Sequence, residues 1–386
     1  MDFYQFEQML RFDPRFAQLQ ASPEKLNETI FKLRTIANSR KLKDESDRFF
    51  ARQRDLDRYV AIAKKIGGLR TQDHRWSGRL EDVSLITASD EQIAAVYEDD
   101  ARSFYYQLDV LTNGKFNFYE RAAAKLAETN FERNIARSGV GCHEENGQLV
   151  WHINVDCAPY INNRTVTMHE LWHAMDEKNQ NYNTSAKEQE QFAGEIGSMF
   201  IDLLSQDYIM ANYSDNKQLV DGIKYLKSVK WNNDIIKARE AYLDVLTCQA
   251  FYAGSEDVRN AAQQEIFTNF GKMFGPGIIM SQIDRLYNVA TQQNAHFDPM
   301  YELRYIVGEV VSTAVYNQQH IPLPERVDKM ATLNDNIKTL NGIQEDPHQS
   351  PIDAVTDYLG VDNIETLVDN YAQQMIQNRE NQYAQR

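Results

Sequence analysis

The sequence predicts a mainly α-helical fold with one small β-hairpin or sheet, and three observations carry that expectation. Apolar residues recur at helical spacing over most of the 386 residues. Clusters of Gly and Pro cut this pattern into lengths typical of globular helices. Only the stretch 140–155 changes to the alternating, β-branched texture of strands.

Taken in order, Ser22-Pro23 opens a helical stretch that runs to residue 66 and closes at Gly67-Gly68. The polar segment Thr71 to Gly78 reads as a loop, and residues 90–128 predict one or two further helices. From Val140 to Val155 the chain reads Val-Gly-Cys-His, a turn at Glu145-Asn146-Gly147, then Gln-Leu-Val-Trp-His-Ile-Asn-Val. That is a hairpin built on the Asn-Gly pair that two-residue turns favour. A helix over Thr165–Glu177 follows. Beyond residue 180 helices continue to the end, punctuated at Gly254-Ser255, Gly275-Pro276-Gly277, Pro322-Leu323-Pro324 and between Pro347 and Pro351. The Gln- and Asn-rich last ten residues are expected to be a frayed tail. A helical N-terminal region over 1–135 and a chemistry-bearing region over 136–386 are expected, as two regions or as one continuous domain.

The predicted helix contains His169-Glu170-Leu171-Trp172-His173, an HExxH motif. With 3.6 residues per turn, His169 and His173 stand one turn apart on one face and Glu170 lies beside them. Two imidazoles can then grip one Zn2+ while a carboxylate serves its water. Met168, Leu171, Trp172 and Met175 form an apolar stripe away from the histidines, so the helix can bury one face and present the other to a cleft.

A catalytic zinc needs a third protein ligand. Asp176 lies seven residues after His169, roughly 10 Å along an unbroken helix, and cannot share the ion. No Gly breaks the helix after His173 to return a third His. Glu195, Ser198 and Asp202 make a polar stripe on a helix whose other side carries Phe192, Ile196, Met199, Phe200, Leu203 and Leu204. Gly194 and Gly197 each cost about 1 kcal/mol in a helix interior, a cost that close helix-helix approach would justify. Such an approach would bring Glu195 to the metal, with Asp202 or Ser198 hydrogen-bonding a ligand. Glu188 and Glu190 remain competing candidates for the third ligand.

HELWH followed by Phe192-x-x-Glu195-x-Gly197-Ser198 resembles the oligoendopeptidase F branch of the thimet oligopeptidase (M3) family of gluzincins, whose pattern is HExGH and then F-x-x-E-x-A-S. Ala158-Pro-Tyr-Ile-Asn162 and His296-Phe-Asp-Pro-Met-Tyr301-Glu-Leu-Arg-Tyr305-Ile-Val-Gly308 are similar to two more of its blocks. The resemblance implies a multi-helical gluzincin fold with a substrate cleft. It implies one zinc held by His169, His173 and Glu195, with Glu170 as general base and oligopeptides as substrates. It also implies that His296 and Tyr301 or Tyr305 assist the tetrahedral intermediate. Read by themselves, Tyr301, Tyr305, Gly308 and Ser312 share one face of a helix that starts after Asp298-Pro299, and that stripe serves packing as readily as catalysis. The chain departs from the family at Trp172, which stands where the family has Gly, so the local packing must differ. The 22-residue spacing from His173 to Glu195 and the whole chain are also short for the family.

A strand just before the zinc helix can offer a free edge on which an extended peptide adds as one more strand; a plain surface hairpin is the alternative. A chain with 42% hydrophobic and 25% charged residues can bury a substantial core. Its formal charge of −15 argues against nucleic-acid partners, whose phosphates it would repel. No apolar run has the length of a membrane span, and Met1-Asp-Phe-Tyr-Gln-Phe-Glu7 lacks the features of a signal peptide. A cytoplasmic protein without a membrane partner is therefore expected. Cys142, Cys157 and Cys248 are too few, and odd in number, for a disulfide framework.

Overall fold

The computed structural model describes residues 3–52, 55–70, 80–133, 135, 138–145, 148–175, 187–292, 300–340 and 350–384. Helices dominate. The first five are α1 (Phe3–Phe12), α2 (Ala17–Gln20), α3 (Pro23–Ala37), α4 (Arg40–Arg52) and α5 (Leu56–Gly67). Next come α6 (Asp90–Leu111) and α7 (Phe118–Leu126), then the strands β1 (Thr129–Glu132), β2 (Gly139–Glu145) and β3 (Gln148–Asp156). The motif helix α8 (Ile161–Met175) leads to α9 (Lys187–Asn212) and the long α10 (Lys217–Tyr252). The remainder is α11 (Glu256–Asn269), α12 (Pro276–Thr291), α13 (Met300–Asn317), α14 (Leu323–Leu340), α15 (Pro351–Leu359) and α16 (Ile364–Ala384). None of the described helices is long and apolar enough to cross a membrane.

Helix boundaries follow the punctuation in the sequence. Pro23 and Pro276 occupy the first turns of α3 and α12, where a missing N–H costs nothing. Ser89 and Gln92 form a reciprocal capping box at the start of α6. The loop expected over Thr71 to Gly78 falls outside the described residues. The tail is a correction, because α16 continues through 377–384, where helix-forming Gln, Arg, Glu and Ala extend a helix anchored by buried Ala372 and Met375.

The hairpin forms as expected. β2 and β3 pair antiparallel from Gly139↔Asn154 to Glu145↔Gln148, a register that leaves two residues for the turn. β1 then pairs parallel to β3, from Thr129↔Ile153 to Glu132↔Asp156, giving a three-stranded sheet in the order β1-β3-β2. The expected free edge is corrected in part: β3, the strand just before the motif helix, is central and paired on both sides over 153–156, while 148–152 pairs only with β2 among the described strands.

The chain divides into two compact units, each made of two segments. One comprises Met1–Thr71 with Asn232–Ile306, the other Gln72–Trp231 with Val307–Arg386. The boundary expected at 135/136 falls inside the second unit. The first unit is helical; within it Phe16 stacks on Phe270 at 5.4 Å, and Arg239 donates to the carbonyls of Gly67 and Leu69 at 2.8 and 2.6 Å. The second unit holds the sheet, α6 to α9 and α14 to α16. In it α6 buries Ile93, Tyr97, Ala101, Phe104, Tyr105 and Leu108, spaced three and four apart, and α6 contacts α8. Each such side chain taken from water contributes roughly 1.5–3 kcal/mol, which fixes α8 in the middle of this unit.

Candidate metal centre

The apolar stripe of α8 is buried as expected: Met168, Leu171, Trp172 and Met175 lie in the core, while His169, Glu170 and His173 stay half-exposed. Helical periodicity alone produces that division. Hydrogen bonds hold both ends of the motif. Tyr105 donates its phenol to the Met168 carbonyl at 2.6 Å, immediately before His169, and Arg121 donates to the Met175 carbonyl at the C-terminal end. Burial, followed by the charge of Asp202, pushes the Tyr105 phenol well above its ordinary pKa, so it remains a donor.

α9 supplies the third group. Nε2 of His173 stands 3.2 Å from Nε2 of His169, and Glu195 Oε2 lies 3.5 Å from the first and 4.0 Å from the second. These three ligand atoms all lie within 4.8 Å of one another. A tetrahedral ion about 2.0–2.1 Å from each ligand needs ligand atoms roughly 3.3 Å apart, so two of the three separations fit and the third closes with a shift of less than an ångström. The donor set also suits a cation, since two imidazoles and a carboxylate aim lone pairs at one point. Zinc is one ion that such a set takes.

Asp202, two turns beyond Glu195 on α9, accepts from Nδ1 of His169 at 3.1 Å. A carboxylate can only accept, so the bond places a proton on Nδ1 and leaves Nε2 as the coordinating atom. Burial disfavours the His169 imidazolium, but the charge and hydrogen bond of Asp202, then the charges of Glu170 and Glu195, raise the ring's pKa to about 9 without an ion. Of the two residues expected to support a ligand, Asp202 does so and Ser198 does not. Ser198 donates to the Glu195 carbonyl at 3.1 Å, within its own helix.

The close helix approach expected at the α9 glycines is present at Gly197, where a Cβ would stand 2.5 Å from Trp172 Nε1. Trp172 therefore fills the α8–α9 crossing, 6% exposed, with Phe118 packed on it at 5.7 Å. Relative to the resembled pattern, a large residue on α8 is matched by a smaller one on α9. The side chains of Glu188 and Glu190, and the surroundings of Gly194, lie outside the described residues.

The remaining candidates are not among the residues of this cluster. His296 lies outside the described residues, as does the side chain of Tyr301. Tyr305 is on α13 in the first unit, where the Lys237 ammonium stands 4.3 Å from its ring centroid. His169, His173, Glu195 and Asp202 all belong to the second unit.

Sequence reasoning missed the polar anchor beneath the site. Arg164, 2% exposed, donates to Asp82 Oδ2 at 2.9 Å and to Asp100 Oδ2 at 2.6 Å. Tyr213 donates to the other Asp100 oxygen at 2.5 Å, and Ser84 to the other Asp82 oxygen at 2.5 Å. Burial disfavours the guanidinium, but the two carboxylates hold its pKa above the ordinary value. A lone Arg among the apolar and hydroxyl residues of α8 was the available signal; its partners, 82 and 64 residues away, were not legible. Gly308 was also missed as a contact. A Cβ there would lie 3.2 Å from Glu195 Cβ, so α13 reaches α9 where the third ligand sits.

Fold and site together define a mainly helical protein with a small sheet and a His-His-carboxylate cluster able to hold a metal ion. No protein-family model, curated protein or solved structure matches the chain.

Proposed function

We propose that this chain is a zinc-dependent peptidase of the gluzincin kind, similar to the M3 oligopeptidases, acting on oligopeptides. The observation that carries the reading is the convergence of His169, His173 and Glu195 within 4.8 Å, with His169 oriented by Asp202. Two of these residues come from an HExxH motif and the third from the next helix. His169, His173 and Glu195 would hold a zinc ion, which would supply Lewis-acid chemistry to a water and to a peptide carbonyl.

The chain's own residues carry the proton transfers. Glu170 follows His169 on α8, half-exposed, and its carboxylate accepts the proton of the attacking water. It then returns that proton to the departing amine, so no net charge accumulates on the protein. Asp202 keeps the His169 proton on Nδ1 and thereby fixes the ring's orientation. His296, Tyr301 and Tyr305 enter only as candidate donors to the oxyanion, on the strength of the resemblance. Trp172 is buried in the helix crossing.

Metal analysis and a fluorogenic peptide library on the purified chain, run with Glu170→Gln, test the reading. The wild type is expected to hold one zinc per chain and cleave peptides. The variant is expected to keep its zinc and lose about 10²–10⁴-fold in turnover. Equal turnover in the variant would remove Glu170 as the base. A zinc-bearing wild type that cleaves nothing would make the cleft a peptide-binding module.

A further inference from the structure

α9 is pinned from two directions around the third ligand. Gly197 meets the indole edge of Trp172: a methyl group there would stand 2.5 Å from Nε1, 3.1 Å from Cε2 and 3.4 Å from Cζ2. Glu195 and Met199 meet α13 at Gly308, where a methyl group would stand 3.0 Å from Met199 Sδ and 3.2 Å from Glu195 Cβ. Residues two apart on a helix are separated by about 200°, so these contacts press on nearly opposite faces of α9. The indole is backed by Phe118, 5.7 Å away at 32°, and has little freedom to retreat.

We propose that Trp172, Gly197 and Gly308 act as positioning residues, a two-sided clamp on α9 that places the Glu195 carboxylate at ligand distance from His169 and His173. The inference rests on the metal-site reading above and adds what sets its affinity. Glu195 Oε2 already stands 3.5 and 4.0 Å from the two imidazole nitrogens, against roughly 3.3 Å for a tetrahedral site. Metal bonds tolerate only about 0.2 Å of error. A methyl group at Gly197 requires roughly 1 Å of relief to reach van der Waals contact, and with the indole backed by Phe118 most of that movement falls on α9. The clamp depends on a Trp inside the motif facing a Gly two residues past the third ligand.

The test is a chelator competition that reads the zinc dissociation constant of the full chain, with Glu195→Ala as the reference for a lost third ligand and thermal melts of the metal-free protein. Gly197→Ala is expected to weaken zinc binding about 10–100-fold, the scale seen when ligand support is lost, and to have no further effect when added to Glu195→Ala. Phe at 172 keeps an aromatic face toward Phe118 but lacks the pyrrole edge over Gly197. In a Trp172→Phe background, adding Gly197→Ala is therefore expected to hold or restore the affinity. That reversal distinguishes positioning from simple destabilisation, which would lower the melting temperature in both backgrounds.

If Gly197→Ala alone does not fold, the comparison of Trp172→Phe with the double variant still decides. An affinity held or raised by the Ala supports the clamp, and one lowered by it overturns the clamp. Zinc bound by Gly197→Ala with wild-type affinity also overturns it. A wild type that binds no zinc counts instead against the metal centre itself, so the two failures are distinct.

Discussion

Along α8, residues 163–167 and residues 169–173 are both rich in polar groups, yet they meet different ends. In the first stretch Asn163, Arg164, Thr165 and Thr167 are buried, and their hydrogen bonds close within the protein: Asn163 donates to the Asp156 and Ala158 carbonyls, Arg164 to two carboxylates. In the second, the two imidazole nitrogens converge with a carboxylate oxygen of Glu195, which α9 supplies. The first arrangement brings its own cation; the second is shaped to receive one. Polarity inside a helical core therefore marks no site by itself, and where the protons and lone pairs point decides between an anchor and a metal centre.

Breaking the anchor should have the largest effect on folding. Arg164→Met leaves Asp82 and Asp100 buried without their guanidinium and is expected to cost about 3–5 kcal/mol in urea denaturation of the metal-free protein. Replacing all three by apolar residues of similar volume should recover most of that loss. A loss below 1 kcal/mol for Arg164→Met would show that the carboxylates do not depend on it.

Asp202→Asn addresses the other half of α8. Weaker orientation of His169 is expected to lower zinc affinity about 10–100-fold, read by chelator competition. The same variant has a pH signature in the metal-free protein. The folded His169 pKa is raised to about 9 from 6.5, so its contribution to stability is full below about 6.5 and is lost as pH rises through about 9. Asp202→Asn should flatten that slope; an unchanged slope would assign it to other groups.

Tyr105→Phe is the mildest test, since it removes the bond to the Met168 carbonyl where the two stretches of α8 meet. About 1 kcal/mol of stability is expected to be lost by thermal or urea melts, with zinc affinity changed less than in Asp202→Asn. A larger effect on zinc than on stability would place Tyr105 with the metal centre rather than with the scaffold.

Much of the architecture was legible because it is local. Helical period, the Ser22-Pro23 and Gly275-Pro276 boundaries and the Asn146-Gly147 turn signal each act within a few residues, and the elements they predict are present. His169, Glu170 and His173 were legible for the same reason, being one turn of one helix. Glu195 was within reach because its polar stripe and nearby glycines are also local signals, although its meeting with the histidines is not.

What the sequence determined was therefore the set of helices, the hairpin and the residue types able to hold a metal. Tertiary structure decided the rest: β1 beside β3, which took away the expected free edge over 153–156, and the division into two discontinuous units. It also joined Arg164 to Asp82 and Asp100, and set Gly197 and Gly308 against their neighbours around Glu195. These pairings join residues tens to more than a hundred positions apart. Hydrophobic burial drives such segments together without direction, and only close packing and the pairing of buried charges select which partners meet.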